Sequence, residues 1–120
     1  MSLDSEMRDV PYLLGRLFAI FEKAQVDAMG GKEPNATIRD RYFGSASATP
    51  RAVFPVLFRL NQHHVSKGER GGYYTKLIGE VTEHLPAENL PTHMRLEEQG
   101  LFAIGYYHQR NAFFRKQDNN

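Results

Sequence analysis

The chain has 120 residues, 41% of them hydrophobic and 24% charged, with a formal net charge of +1 at pH 7 and no cysteine. This is the size of one domain, with enough apolar content to bury a core without metals or crosslinks. The missing cysteine excludes a disulfide framework and thiolate metal ligation and suits a reducing compartment. No apolar run approaches the ~18 residues of a membrane span, and Met1–Asp9 lacks the basic flank and apolar stretch of a signal peptide, so a cytoplasmic location is expected.

Residues 1–9 read as a polar leader, 10–116 as one helical domain and 117–120 as a polar tail. The domain contains five stretches of helical periodicity and none with the period-two alternation of a strand. The expected fold is all-α, a compact bundle of about five helices.

The first helix is expected over Val10–Met29. Val10, Leu13, Leu14, Leu17, Phe18, Phe21, Ala24 and Ala28 share one broad face, with Arg16, Lys23 and Asp27 opposite. Pro11 fits the first turn, where a backbone donor is not needed, and Gly30-Gly31 ends the helix. A short second helix is expected over Ala36–Phe43, capped by Asn35 and stopped by Gly44, with Ile38 and Tyr42 turned to the core. The segment Gly44–Thr49 is small and hydroxyl-rich and reads as a loop.

Thr49-Pro50 is the clearest helix start in the chain, a cap residue followed by proline at the first helical position. The third helix is expected to run to Ser66. It carries two adjacent apolar stripes, Val53/Leu57/Leu60 and Phe54/Phe58/Val65, with Pro55, Arg59, Gln62 and Ser66 on the remaining face. Pro55 is a candidate kink. After the loop Gly68–Gly72, a fourth helix over Tyr73–His84 packs Tyr74, Leu77, Ile78 and Val81. After the loop Pro86–Pro91, the fifth begins near Thr92–Leu96 and continues to Lys116.

The fifth helix has more apolar stripes than a surface helix needs. Leu96, Gly100, Ala103, Tyr107 and Phe114 make one, Phe102, Tyr106 and Phe113 a second, and Leu101 and Ile104 a third. It is therefore either the central helix or part of a protein interface, with Phe102, Tyr106, Arg110 and Phe113 as the candidate interface residues.

Charge is polarised along the chain. Residues 32–76 hold eight Lys or Arg against three acids, a net of +5, and residues 77–98 hold five acids against Arg95, a net of −4. This suits a phosphate-bearing partner on one side and a basic protein on the other, or else a solvated surface whose charges cluster. The cations of the basic segment, Arg39, Arg41, Arg51, Arg59, Lys67, Arg70 and Lys76, are the candidate nucleic-acid contacts. Arg39-Asp40-Arg41-Tyr42-Phe43 sets two guanidiniums beside two aromatics, just before the small-residue segment whose amides could approach a phosphate. The competing reading makes Tyr42 and Phe43 core, pairs Asp40 locally and leaves the segment a linker.

Catalytic signals are nearly absent. There is no glycine-rich phosphate loop and no Gly-x-Ser-x-Gly elbow. His63 and His64 are neighbours that point about 100° apart on a helix and so cannot share a metal, and His84, His93 and His108 show no ligand spacing. Glu97-Glu98 read as acids at a helix N-terminus rather than a catalytic pair. No catalytic residue, metal site or cofactor is expected.

The stretches Asn35–Gly44 (NATIRDRYFG), Ala48-Thr49-Pro50 and Leu96–Arg110 (LEEQGLFAIGYYHQR) resemble the C-terminal domain of the large subunit of the type I-C CRISPR surveillance complex, Cascade, over about Tyr12–Phe114. In that family the same domain is also made separately, by internal translation initiation, as the small subunit. With its own Met1, the chain resembles that free small subunit. The resemblance implies a non-catalytic helical bundle that stacks, typically in a pair, along the belly of the complex and helps hold the R-loop open. Its implied partners are the large and backbone subunits, guide RNA and target DNA, and a second copy of itself, with no membrane. The family implies no residue-level catalytic set. A spacer without nucleic-acid contact is the competing expectation. A helix-turn-helix regulator fits poorly, because the third helix shows apolar stripes where base-reading side chains would project.

Overall fold

Helix α1 (Val10–Ala28) begins after the extended residue Asp9, with Pro11 in its first turn, and gives way at Met29 to Gly30, whose φ of 76° is the single positive φ among the described residues. A computed structural model describes residues 2–30, 37–86 and 89–118. Among them are five α-helices and no strand, so the chain is an all-α bundle. None of these helices is long and apolar enough to cross a membrane.

α1 is the central helix. It packs against each of the other four, most extensively against α5 (Leu96–Asp118). Tyr12, Leu13, Leu14, Leu17, Phe18, Ile20 and Phe21 are all buried, so apolar contact surrounds much of the helix rather than one face. The polar side expected from Arg16, Lys23 and Asp27 is itself roofed. Arg16 Nε donates to Gln109 Oε1 of α5 at 3.0 Å, and Asp27 accepts the Tyr74 hydroxyl of α4 (Gly71–Thr82). The central position belongs to α1 and not to α5: among the described residues α5 packs chiefly on α1, with smaller contacts to α2 (Ile38–Ala48) and, through Phe113 and Tyr74, to α4.

α2 departs from expectation at both ends. Its N-cap is Thr37: the side chain accepts from the Asp40 N–H, and the Asp40 carboxylate accepts from the Thr37 N–H at 3.0 Å, a reciprocal cap. Asn35 lies outside the described residues. Gly44 does not stop the helix, which continues to Ala48. Gly44 takes no left-handed φ, and the turn that follows buries Ala46 and Ser47. That burial outweighs the roughly 1 kcal/mol propensity cost of an interior glycine.

Only Thr49 separates α2 from α3 (Pro50–Lys67). Thr49 is both the C-cap of α2 and the expected N-cap of α3, but its hydroxyl donates back to Ser45 O at 3.0 Å and makes no cap hydrogen bond to α3. Pro55 sits exposed inside α3, which remains one helix. The segment before α5 ties back to this junction through Arg51 N–H to Pro91 O at 3.1 Å and Met94 N–H to Ala48 O at 2.9 Å. α4 starts at Gly71, two residues before the expected Tyr73, because only glycine allows the close approach to the Val65 carbonyl of α3. α5 opens with Glu98 Oε1 accepting from the Arg95 N–H at 2.9 Å, the N-terminal role expected of that acid.

Candidate nucleic-acid interface

α3 turns Phe54, Leu57 and Asn61 inward, which leaves Arg51, Pro55, Arg59, Gln62, His63, Ser66 and Lys67 exposed. Arg51, Arg59 and Lys67 recur every eight residues, about 12 Å apart along the axis and about 80° apart around it. No acid occurs in α3. Arg51 donates to Thr92 Oγ1 at 3.2 Å, while among the described residues no hydrogen bond or ion pair engages the side chains of Arg59 and Lys67. Burial, reinforced by the neighbouring His63, pushes His64 below its usual pKa. The His63 and His64 ring centroids are 6.0 Å apart, and among the described residues no three His, Asp or Glu side chains gather as metal ligands.

The other expected cations are distributed differently. Arg41 projects from α2 into solvent, and Lys76 from α4. Arg70 lies over the Tyr73 ring at 4.4 Å. Arg39 points toward α5, where its Nη2 donates to the Tyr107 hydroxyl at 2.6 Å and its guanidinium lies 5.5–5.8 Å from the Tyr106, Tyr107 and Phe43 ring centroids. Arg39 is thus held by aromatics, on a different side of α2 from Arg41, which is about 200° away around the helix. Phe43 packs edge-on against Phe18, Phe102 and Tyr106, as a core residue does. The segment Gly44–Ala48, expected to cradle phosphate with its amides, is helical, so those amides lie within α2.

Of the candidate interface residues on α5, Phe102 and Tyr106 are fully buried and Phe113 nearly so, all within the core. Phe102 and Tyr106 pack on Phe18 of α1 and cannot meet a partner, while Phe113 packs on Tyr74 of α4. The exposed apolar side chains of α5 are Leu96, Ile104, Tyr107 and Phe114, three of them from the stripe that includes Gly100 and Ala103. Periodicity resolves both stripes but carries no sign of which one faces outward. Arg110 is half-buried, with its guanidinium 4.9 Å from the Phe114 centroid.

A cleft of about 430 Å³ opens between α1, the start of α2 and α5. Its wall includes Glu22, Lys23, Asp27, Arg39, Asp40 and Arg110 beside Val26, Phe113 and Phe114. The Tyr106 hydroxyl donates to Glu22 Oε1 at 2.5 Å, and Tyr74 donates to Asp27. Burial first, and then the carboxylate partner, raise both tyrosines well above their usual pKa. The α1 contributions to this cleft were missed by sequence reasoning, since Glu22, Lys23 and Asp27 carry no motif.

The family model of CRISPR-associated protein (Cas_Csd1) matches residues 1–114. The chain belongs to the Cas_Csd1 family. Among curated proteins none matches it. The matched span takes in α1 to α4 and α5 through Phe114, so both the α3 face and the cleft lie inside the Cas_Csd1 match.

Proposed function

We propose that this Cas_Csd1-family chain is a non-catalytic small subunit of a type I-C CRISPR surveillance complex. It lies along the belly of the complex and steadies the R-loop by sequence-independent contacts to nucleic-acid backbone. The supporting observation is the solvent side of α3, where Arg51, Arg59 and Lys67 are all exposed, winding about 80° around the axis from each to the next, on a helix without an acid. The apolar side chains of α3 point into the bundle, so the helix grips backbone and leaves sequence reading to guide pairing. Its partners are the large and backbone subunits, guide RNA and target DNA, and a second copy, in the cytoplasm and with no cofactor.

The test uses assembled complex and target duplex. Arg41→Ala with Arg59→Ala should weaken R-loop formation equally for any target. It should also lower the slope of log affinity against log salt by roughly 0.7–0.9 for each phosphate no longer neutralised. An unchanged slope and R-loop stability would remove the DNA-holding role. The remaining reading is a spacer that binds only neighbouring subunits, favoured by the overall charge of +1 and the exposed apolar stripe of α5.

A further inference from the structure

We infer that the cleft between α1, α2 and α5 is a nucleotide site, in which the Arg39 and Arg110 guanidiniums hold the phosphate and the Val26, Phe113 and Phe114 wall receives the base. The site is separate from the α3 face and does not depend on it.

The argument starts from the charged groups of the cleft, three cations and three carboxylates. The carboxylates are engaged within the protein. Glu22 accepts the Tyr106 hydroxyl, Asp27 accepts the Tyr74 hydroxyl and pairs with Lys23 at 3.8 Å, and Asp40 caps α2. The two arginines are positioned but not neutralised: among the described residues neither has an ion pair. Arg39 is held by three aromatic rings and by one hydrogen bond, to Tyr107 Oη. Arg110 lies against Phe114. A stacked guanidinium keeps its in-plane donors free and loses little freedom when an oxyanion binds. Two such forks on one cleft suit a phosphate.

The rest of the wall selects the kind of phosphate. The formal charges of the lining balance, so a bare anion gains little from long-range attraction. The volume falls in the range of roughly 300–1,000 Å³ typical of small-ligand clefts. Phe114 is 44% exposed beside the buried Phe113, which gives a planar apolar group something to stack on. A phosphate ester of a flat ring uses both features, and nucleic-acid binders combine cations and aromatic platforms in this way.

The experiment titrates the isolated chain with adenosine 5′-monophosphate, adenosine, inorganic phosphate and a short single-stranded deoxyoligonucleotide, followed by nuclear magnetic resonance. The mononucleotide should saturate, shift the Nε–H signals of Arg39 and Arg110 and the Phe114 ring, and bind at least about tenfold tighter than adenosine or phosphate alone. Arg110→Gln should weaken it about tenfold, with partial recovery in Arg110→Lys. Phe114→Leu, on an exposed ring, supplies a second variant whose fold is checked by its melting temperature. Arg41→Ala with Arg59→Ala should leave mononucleotide binding unchanged, so failure at the α3 face and failure at the cleft are separable. An oligonucleotide that binds more tightly than the mononucleotide and is weakened by the same variants places the nucleotide within a strand. Equal affinities indicate a free nucleotide, and either result supports the site. No saturable shift, or affinity unaltered in both Arg110→Gln and Phe114→Leu, overturns it. So does an acidic peptide that displaces the nucleotide and binds more tightly, which would make the cleft a protein-docking site.

Discussion

Gly15 of α1 and Gly105 of α5 mark the point where the two helix backbones touch. A Cβ on Gly15 would fall on the Phe102 carbonyl, and one on Gly105 on the Tyr12 carbonyl. Glycine in a helix interior normally costs about 1 kcal/mol relative to alanine, yet here it permits the two backbones to come into contact. Gly15→Ala and Gly105→Ala should each destabilise by roughly 1–3 kcal/mol or more, through backbone displacement. Gly100→Ala, in open space on the same helix, should stabilise by up to about 1 kcal/mol. Chemical denaturation of the three variants checks the contrast in sign.

The Tyr106–Glu22 and Tyr74–Asp27 hydrogen bonds join α1 to α5 and α4, and both hydroxyls are held protonated in the fold. Their folded pKa values lie above the unfolded value of about 10, so the stability they contribute is complete below pH 10 and is lost as pH rises beyond it. The unfolded state releases those protons first. Thermal melts should fall steeply above about pH 10, by up to about 1.4 kcal/mol per pH unit for each tyrosine. Tyr106→Phe should start from a lower stability at pH 8, because Glu22 loses its donor, and should fall less steeply.

The two sides of α5 should respond oppositely to mutation. Phe102→Ala removes a fully buried ring and should cost about 3–5 kcal/mol. Leu96→Ala and Ile104→Ser alter exposed side chains and should change the stability of the isolated chain by no more than about 0.5 kcal/mol. Size-exclusion chromatography with purified partner subunits reads the other effect. Reduced co-elution in the Leu96 and Ile104 variants, with the fold intact, would mark the exposed side of α5 as the protein-binding face.

The course of α2 through Gly44 is also testable. Gly44→Ala should stabilise by up to about 1 kcal/mol, since the position is helical with nothing near its Cβ. A left-handed terminating glycine would instead be destabilised by the same change. Thr37→Ala should cost about 1 kcal/mol through loss of the reciprocal cap with Asp40. Both are measured by thermal melting followed by circular dichroism.

The existence, order and type of all five helices were legible in the chain, because local chemistry sets them. Pro11 and Pro50 start α1 and α3, Gly30 ends α1, and the apolar spacings exclude strands. The family resemblance likewise rested on residues read directly. The rotation of each helix within the bundle was not legible. Periodicity relates residues on one helix to each other by about 100° steps, but it says nothing of where the neighbouring helices lie. Both aromatic stripes of α5 were therefore visible, yet only packing against α1 decided that Phe102 and Tyr106 go in while Tyr107 and Phe114 stay out. The same limit hid the cleft. Glu22, Arg39 and Arg110 come from three helices, the last of them at the far end of the chain, and they meet because Gly15 and Gly105 let α1 and α5 approach so closely. Gly44 was misjudged for a related reason. A glycine's tendency to end a helix is worth about 1 kcal/mol, and burying the following turn, with Ala46 and Ser47, outweighs it.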